Sequence, residues 1–312
     1  MAEKYNGGGL PAPTPPPAGH SPDLGLLLIA LIWGVNFPVI KATLPEIPPL
    51  AFNALRFPLA AVTVFFILKA RGGVRWPQRR DIPAVVGLGV LGNLVYQSFF
   101  IFGADATLAG NASVLLATIP IWTVALSTAL RHERPGVFVW IGITATLSGM
   151  VLLVLGSHLS LEISGNTLKG DLLIVGAAMT WATYTVSSRN LVQKYGSAPL
   201  AAWTLWVGTV GLVALGAPAL SRLSPGDVDA TAWLGVFYAG VLAIGLAYVL
   251  WNRGIKSIGS SKTAAYQNLT PVVALLVAWV WLGEVPGSLQ LVGAGIVLAG
   301  LTLTRLSGRR GT

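Results

Sequence analysis

The chain has 312 residues, of which 54% are hydrophobic and 10% are charged, and its formal net charge is +9. A soluble domain carries about 25% charged residues, so this composition excludes an ordinary soluble protein. Cysteine is absent and the three histidines are scattered. These counts exclude a disulfide framework and argue against a metal site, and we expect no cofactor and no metal.

The N-terminal residues 1–22 contain three consecutive glycines and a run of prolines, a composition that predicts a disordered tail. Ten apolar runs follow, each long enough to cross a hydrocarbon layer about 30 Å thick. We predict helices, because lipid cannot satisfy the hydrogen bonds of an open strand edge. The predicted spans are 24–41, 49–68, 82–102, 108–130, 136–156, 170–189, 198–220, 231–252, 262–282 and 287–305.

The basic residues predict the orientation of these spans. If the N-terminus is cytoplasmic, the far side receives only Lys41, Lys169 and Arg222, and Arg56 lies within a span. All other basic residues then fall on the cytoplasmic side, including the basic tail 307–312, as the positive-inside rule requires. We therefore predict a multi-pass protein of the inner (cytoplasmic) membrane with both termini in the cytoplasm. The net charge reflects this topology, so we expect no nucleic-acid partner.

The sequence repeats itself. The stretch from Pro120 to Leu155 shares its skeleton, without a gap, with the stretch from Pro271 to Leu306. Residues at matching positions of the two stretches, or of the corresponding segments that precede them, are called repeat equivalents below. The strongest pairs are Pro120/Pro271, Glu133/Glu284, Pro135/Pro286, Gly136/Gly287, Gly142/Gly293, Leu147/Leu298 and Gly149/Gly300. Such a match across two helices and their Glu-x-Pro-Gly corner indicates an internal duplication.

The duplication extends to whole halves, which we predict as 23–156 and 170–306. Trp33 and Trp181 match in the first spans, and Pro49 and Pro199 open the second spans. Each half contains five spans, an odd number, so the two halves enter the membrane in opposite directions. The predicted fold is an all-α membrane protein of ten transmembrane helices in two inverted five-helix repeats. This architecture is typical of alternating-access transporters with a midplane site.

This plan, together with Trp33-Gly34 and Asn36-Phe37 in the first span and the two Glu-x-Pro-Gly corners, resembles EamA-type members of the drug/metabolite transporter superfamily. The resemblance covers residues 23–306 and is greatest to bacterial amino-acid and metabolite exporters of the YddG type. It implies export by alternating access, through a pocket lined by helices 1, 3, 4, 6, 8 and 9.

Polar and aromatic side chains inside apolar spans are the candidates for that pocket, because exposing polar groups to lipid costs free energy. In span 3 the candidates follow a helical i, i+3, i+4, i+7 spacing, which predicts a single face. Each candidate could instead anchor the chain at the interface or bond a neighbouring helix. The predicted substrate-binding residues are Trp33, Asn36, Phe37, Asn93, Tyr96, Gln97, Phe100, Trp181, Tyr184, Tyr248, Tyr266, Gln267 and Asn268.

Two cations and two prolines complete the candidates. Arg56 could bind a substrate carboxylate or extend toward the outer surface. Lys262, the repeat equivalent of Asn111, could attract an anion at an inner gate or contribute only to topology. Pro120 and Pro271 each remove a backbone hydrogen bond, which predicts either a pair of hinges or two fixed kinks. Small residues at Gly295 and Ala299 predict close helix packing in span 10.

The acidic residues lie in tails, loops or span ends, whereas proton relays use membrane-embedded carboxylates or histidines. The residues therefore favour facilitated diffusion or exchange, and no enzyme constellation is present. We predict a secondary exporter of small amphipathic metabolites, above all aromatic or apolar amino acids. The alternatives are a carrier of nucleotide-linked or sugar substrates and a membrane protein without transport activity. The expected partners are a small-molecule substrate and the lipid bilayer, and a monomer is compatible with the sequence.

Overall fold

The computed structural model describes residues 22–73, 76–107, 109–133, 135–156, 168–282 and 285–306. Every regular element in these ranges is helical, which confirms the predicted all-α class. Most of the predicted N-terminal tail, the C-terminal tail and Glu284 of the second corner lie outside the described residues, as does the side chain of Phe37.

The first half is a series of helices at the predicted apolar runs. The third run is one continuous helix with a π-helical segment, Val90–Val95, between α3 and α4. The fourth run is divided by a turn at residues 117–118. The helices are α1 (Pro22–Thr43), α2 (Pro49–Ala70), α3 (Ile82–Gly89), α4 (Tyr96–Ala106), α5 (Ala109–Leu116), α6 (Ile119–Ala129) and α7 (Val137–Leu155).

The second half repeats these local features. A π-helical segment, Ala239–Leu246, lies between α11 and α12, and a 3₁₀ segment, Tyr266–Leu269, lies between α13 and α14. The breaks before Pro120 and Pro271 therefore occur at equivalent positions. The helices are α8 (Leu168–Ser187), α9 (Arg189–Tyr195), α10 (Ser197–Leu220), α11 (Ala230–Tyr238), α12 (Ala247–Ile258), α13 (Ser260–Ala265), α14 (Thr270–Leu282) and α15 (Ser288–Leu306).

Seven helical stretches in the described residues are long and apolar enough to cross a membrane. A shorter apolar stretch, Ser288–Thr304, lies in α15. The chain is thus a helical membrane protein, and the full ten-span plan stays a prediction. The seven stretches are Asp23–Ile40, Pro49–Ala70, Arg79–Ala106, Asn111–Ala129, Val137–Leu155, Ser197–Leu220 and Ala230–Ile258.

The last helices of the two halves, α7 and α15, pack along their length. A Cβ atom at Gly142 would lie 2.6 Å from the carbonyl oxygen of Gly300, and one at Gly149 would lie 2.7 Å from that of Gly293. The residue numbers rise along one helix as they fall along the other, so the two helices are antiparallel. Only glycine permits this backbone approach.

The second helices of the two halves, α2 and α10, also run antiparallel. A Cβ atom at Gly216 would lie 2.4 Å from the Leu50 carbonyl oxygen. Farther along, the Thr209 hydroxyl oxygen lies 3.3 Å from the Phe57 carbonyl oxygen, and Trp206 Nε1 donates to the Ala61 carbonyl at 3.1 Å. Of the other helices, α4 packs against α8, and α1 packs against α12 and α14.

Candidate functional site

A cavity lies between the central helices. The space open to the centres of water molecules inside it is about 110 Å³, and one water needs about 10–15 Å³ by this measure. The cavity therefore has room for several waters or one small solute. Its lining consists of Trp33, Asn36, Arg56, Tyr96, Gln97, Phe100, Ser113, Leu116, Ala117, Trp181, Ala243, Ile244, Tyr248, Gln267, Asn268, Thr270 and Pro271.

Most of the predicted pocket residues meet in this lining. They are Trp33, Asn36, Tyr96, Gln97, Phe100, Trp181, Tyr248, Gln267 and Asn268, joined by Arg56 and Pro271. The lining residues that sequence reasoning missed are Ser113, Leu116, Ala117, Ala243, Ile244 and Thr270. Leu116 and Ala117 are the repeat equivalents of Gln267 and Asn268, so the duplication itself was the signal that could have found them.

One wall of the cavity is a cluster of aromatic rings around Trp181. Trp181 and Trp33 are repeat equivalents, and Trp33 Nε1 donates to the Ala243 carbonyl at 2.8 Å. Of these rings, Trp33, Tyr96, Trp181 and Tyr248 line the cavity and offer an apolar surface on which a solute side chain can pack, whereas Tyr184 and Trp251 lie outside the lining. The centroid distances from Trp181 are 4.9 Å to Tyr96, 5.1 Å to Tyr248, 5.2 Å to Tyr184, 5.6 Å to Trp251 and 6.2 Å to Trp33.

Arg56 brings a positive charge to the cavity from α2, and its side chain is only 2% exposed. Its Nε donates to Asn53 Oδ1 at 2.9 Å, and Nη2 donates to Gln97 Oε1 at 2.8 Å. The guanidinium carbon lies 4.6 Å from the centroid of the Phe52 ring. No carboxylate pairs with this guanidinium among the described residues. The side chain is therefore turned inward, and its charge has neutral neighbours.

The bond from Arg56 determines the orientation of Gln97. A guanidinium can only donate, so the oxygen of the Gln97 amide must face it. The Gln97 nitrogen then faces Tyr248, and Nε2 donates to the Tyr248 hydroxyl at 3.4 Å. Gln97 and Tyr248 are repeat equivalents, so this polar bridge joins the two halves beside the cavity.

The orientation of Asn268 is determined in the same way. The Thr146 hydroxyl donates to the Ile143 carbonyl at 2.8 Å and therefore accepts the second bond that it makes. That bond comes from Asn268 Nδ2 at 2.9 Å. The oxygen of the Asn268 amide is consequently the atom left for the cavity.

Several buried oxygen atoms of the lining have no hydrogen-bond partner among the described residues. They are Asn36 Oδ1, Gln267 Oε1, Asn268 Oδ1 and Thr270 Oγ1. Buried polar atoms without a partner cost free energy. A donor group of a bound solute, or water, would satisfy them.

Three predicted pocket residues bond neighbouring helices outside the lining. Asn93 Nδ2 donates to the Thr204 carbonyl at 3.0 Å, and Tyr184 accepts a bond of 3.1 Å from Asn252. The Tyr266 hydroxyl donates to Asp23. For Asn93 the reason is the π-helical segment, because its extra residue changes the helical phase between Asn93 and Tyr96. The prediction that Asn93 shares one helix face with Tyr96, Gln97 and Phe100 was therefore wrong.

The remaining candidates lie at the ends of broken helices. Lys262 is part of the short helix α13 and does not line the cavity. Pro120 is buried at the start of α6, and Pro271 lies at the start of α14 and lines the cavity. Both prolines directly follow a break in the helix. Whether these breaks act as hinges stays a prediction.

Contacts between the halves join the loops on the predicted cytoplasmic side. The Glu133 carboxylate accepts bonds from the backbone N–H groups of Ser260 at 2.7 Å and Ser261 at 3.2 Å. Arg189 Nη1 lies 3.9 Å from Glu133 Oε1 and donates to the carbonyl oxygen of His132. We call this set of five residues the Glu133 contact.

A second ion pair links the segment before α3 to α9. Lys194 Nζ lies 2.5 Å from Asp81 Oδ2, and the Tyr195 hydroxyl donates to the same carboxylate. The hydrogen bond to Asp81 raises the pKa of Lys194 above its ordinary value. Unlike Arg56, the cations of both surface contacts have acidic partners.

The described residues contain no cluster of three or more histidine or acidic side chains that could hold a metal ion. The arrangement can bind a solute through one cation, several amide oxygens and a wall of rings. A cavity enclosed by the helices of a membrane protein is typical of proteins that move small solutes across the bilayer.

The chain belongs to the EamA-like transporter family, whose model matches residues 20–155 and again residues 168–306. It is therefore a membrane transporter of the drug/metabolite transporter superfamily, and the expectation that it is not an enzyme is confirmed by this membership.

Relatives with curated descriptions are similar over nearly their whole length. The chain is 31% identical to a probable terminal-alkyne amino-acid exporter of Streptantibioticus cattleyicolor, covering 91% of this chain and 94% of the relative. It is 30% identical to the uncharacterized transporter YdfC of Bacillus subtilis, covering 90% of this chain and 89% of the relative. A probable amino-acid metabolite efflux pump of Salmonella typhimurium is 28% identical to this chain, and the similarity covers 88% of this chain and 91% of the relative.

The fold also occurs in a solved crystal structure. That structure superposes with a TM-score of 0.77 at 23% sequence identity, covering 94% of this chain and 99% of the other. At this identity the similarity concerns the fold alone.

Proposed function

We propose that the protein exports small amphipathic metabolites, specifically amino acids with apolar or aromatic side chains, by alternating access. The observation that carries this proposal is the central cavity, which combines a wall of aromatic rings with amide groups and one cation. Rings suit an apolar side chain, and the polar groups suit an ammonium and a carboxylate. The names of the Streptantibioticus and Salmonella relatives support amino-acid export.

Alternating access requires two halves of opposite orientation, and we propose that the ten predicted spans form such inverted repeats. The antiparallel packing of α7 against α15 and of α2 against α10 supports this arrangement. Both are pairs of equivalent helices, and equivalent helices of inverted halves run in opposite directions. The matched π-helical segments and helix breaks support it as well.

The distribution of basic residues supports a place in the cytoplasmic membrane with both termini inside the cell. In this orientation the Glu133 contact holds the cytoplasmic loops of the two halves together, because it joins the first half to the start of α13. Breaking and reforming such contacts between the halves would open the cavity to one side at a time.

We also propose facilitated diffusion or exchange as the mode of transport. Asp23 and Asp171 lie in the first turns of α1 and α8. Asp171 accepts bonds from the Thr107 hydroxyl at 2.5 Å and from Asn111 at 3.1 Å. Carboxylates at these helix ends hold neighbouring helices and do not face the cavity lining.

A counterflow assay tests the proposal. The purified full chain is reconstituted into liposomes preloaded with one solute, and uptake is screened over amino acids, nucleosides and sugar nucleotides. We expect counterflow of apolar and aromatic amino acids, which persists when the pH gradient is abolished. Tyr96→Ala should lower this counterflow roughly tenfold without loss of folded protein, because a ring contact and its buried area are lost.

The same assay can contradict the proposal. Counterflow only of sugar nucleotides would assign the protein to another substrate class, and dependence on the pH gradient alone would overturn the proposed mode. Wild-type counterflow in folded Tyr96→Ala would remove this ring from the binding site.

A further inference from the structure

The cavity lining contains one charged group, the guanidinium of Arg56, among the described residues. Arg56 is buried at its wall, and its contacts are the neutral groups of Asn53, Gln97 and Phe52. Burying a charge without a counter-ion is costly. Two of its N–H groups are occupied by Asn53 and Gln97, and the others remain available to donate. The group that would compensate this charge is an anion held in the cavity.

Other parts of the lining accept hydrogen bonds. The oxygens of Asn36, Gln267 and Asn268 are buried without partners among the described residues. Asn268 is 1% exposed, and its bond to Thr146 leaves its amide oxygen free. Amide oxygens accept hydrogen bonds. These three oxygens therefore suit a donor group such as an ammonium.

A comparison of repeat equivalents shows how the cation and the acceptors are divided between the two halves. Continuing the match from Pro49 and Pro199, the repeat equivalent of Arg56 is Trp206, which donates to the Ala61 carbonyl at 3.1 Å. The equivalents of Gln267 and Asn268 are Leu116 and Ala117. The first half therefore supplies the cation, and the second half supplies two of the three acceptors. A lining with two different poles suits a solute with two different ends.

We infer that Arg56 binds the carboxylate of the solute, and that the side-chain oxygens of Asn36, Gln267 and Asn268 bind its ammonium group. The cavity would thus recognise an α-amino acid as a zwitterion in one orientation, with its side chain against the rings around Trp181. This inference rests on the proposed transport of amino acids and adds the positions of the two charged groups.

A series of matched solutes tests it on the wild-type protein. L-phenylalanine, 3-phenylpropanoate and 2-phenylethylamine share a ring and differ in their charged groups. Each is added as a competitor in phenylalanine counterflow with the reconstituted full chain. We expect 3-phenylpropanoate to compete more strongly than 2-phenylethylamine, by roughly tenfold or more, because charge-assisted hydrogen bonds at Arg56 are available only to a carboxylate.

Arg56→Gln tests the residue itself, because glutamine keeps a donor for Gln97 and removes the charge. Competition by phenylalanine and 3-phenylpropanoate should weaken roughly ten- to hundredfold, while competition by 2-phenylethylamine stays the same. Arg56→Lys should restore part of the carboxylate preference. Lys256→Gln is the matched control, because it removes one positive charge from an exposed position at the end of α12 and should change nothing.

Stability separates binding from a purely structural role. No carboxylate loses a partner when Arg56 is replaced, so unliganded Arg56→Gln should melt close to the wild type. The ligand-induced rise in melting temperature with phenylalanine should disappear. An Arg56→Gln variant that melts early and loses competition by all three solutes equally would overturn the inference in favour of a structural role.

The remaining outcomes are also decisive. Equal or stronger competition by 2-phenylethylamine in the wild type would overturn the carboxylate site without any variant. Absence of amino-acid counterflow in the wild type would overturn the proposed function, whereas counterflow without discrimination among the three solutes would overturn this inference alone.

Discussion

The α7–α15 pair and the central cavity both join equivalent parts of the two halves, but they differ in symmetry. In the helix pair, Gly142 approaches Gly300 as Gly149 approaches Gly293, with nearly the same distances. In the cavity, Arg56 is matched by Trp206, and Asn268 by Ala117. The packing pair thus keeps the two-fold relation, and the lining departs from it.

The difference has a physical reason. In a two-fold interface every contact occurs twice, so the same small residues are required on both helices. A solute such as an amino acid has no two-fold axis, and a symmetric lining would offer both of its ends the same groups. In the proposed function the duplicated scaffold therefore supplies the frame, and the differences between the halves supply the recognition of the solute.

The largest effect is expected from substitutions in the symmetric pair. Gly142→Ala places a Cβ 2.6 Å from the Gly300 carbonyl oxygen, and Gly293→Ala places one 2.7 Å from that of Gly149. Backbone atoms cannot move aside as a flexible side chain can, so each change should destabilise the protein by about 1–3 kcal/mol. The measurement is the melting temperature and the yield of folded protein in detergent.

The symmetry itself is tested by comparing the two variants. Because the two glycines are repeat equivalents in equivalent contacts, their melting temperatures should fall by similar amounts. A large fall for one and none for the other would mean that α7 and α15 do not share a two-fold interface.

A smaller effect is expected when the lining is made symmetric. Gln267→Leu with Asn268→Ala gives both halves the same residues at these positions and removes two of the proposed ammonium acceptors. The Thr146 hydroxyl keeps its bond to Ile143, so the loss of stability should be only about 1 kcal/mol. Phenylalanine counterflow should fall roughly tenfold, and the preference for a carboxylate over an amine should increase.

Competition by 2-phenylethylamine and 3-phenylpropanoate measures that preference. Leu116→Ala is the control, because it changes the lining on the equivalent position of the first half and leaves both poles in place. An unchanged selectivity in the folded double variant would show that these amides are not the ammonium site.

Much of the fold was predictable from the sequence, because lipid forces helices and a duplicated sequence forces a duplicated structure. The predicted runs correspond to helices wherever the structure describes them, and the all-α class is confirmed. The sequence could not show the π-helical segment at Val90–Val95, because no residue type marks an extra residue in a helical turn. That segment turned Asn93 toward Thr204 and away from the predicted face.

The candidate site was predictable where polarity marked it. Trp33, Gln97 and Gln267 stand out in apolar spans and do line the cavity, although their binding of a solute stays a prediction. Leu116 and Ala117 could not be identified by residue type, since such residues occur throughout the spans. The inward turn of Arg56 depends on its bonds to Asn53 and Gln97, which composition and spacing do not reveal.

The smallest effect is expected at a glycine that lies outside the symmetric contact. The sequence predicted close packing at Gly295, yet a Cβ atom there would meet nothing within 4 Å. Gly295→Ala should therefore change the free energy of unfolding by no more than about 1 kcal/mol, and in the stabilising direction, because alanine favours the helix.

The melting temperature of Gly295→Ala, measured beside that of Gly142→Ala, checks this expectation on one helix pair and with one chemical change. The two variants differ only in what the added methyl group meets, which is the Gly300 carbonyl and the Thr304 side chain at Gly142 and open space at Gly295. A fall at Gly295 as large as that at Gly142 would contradict the expectation. It would mean that this face of α15 packs against another molecule, and measuring the mass of the protein in detergent would then identify a second copy of the chain.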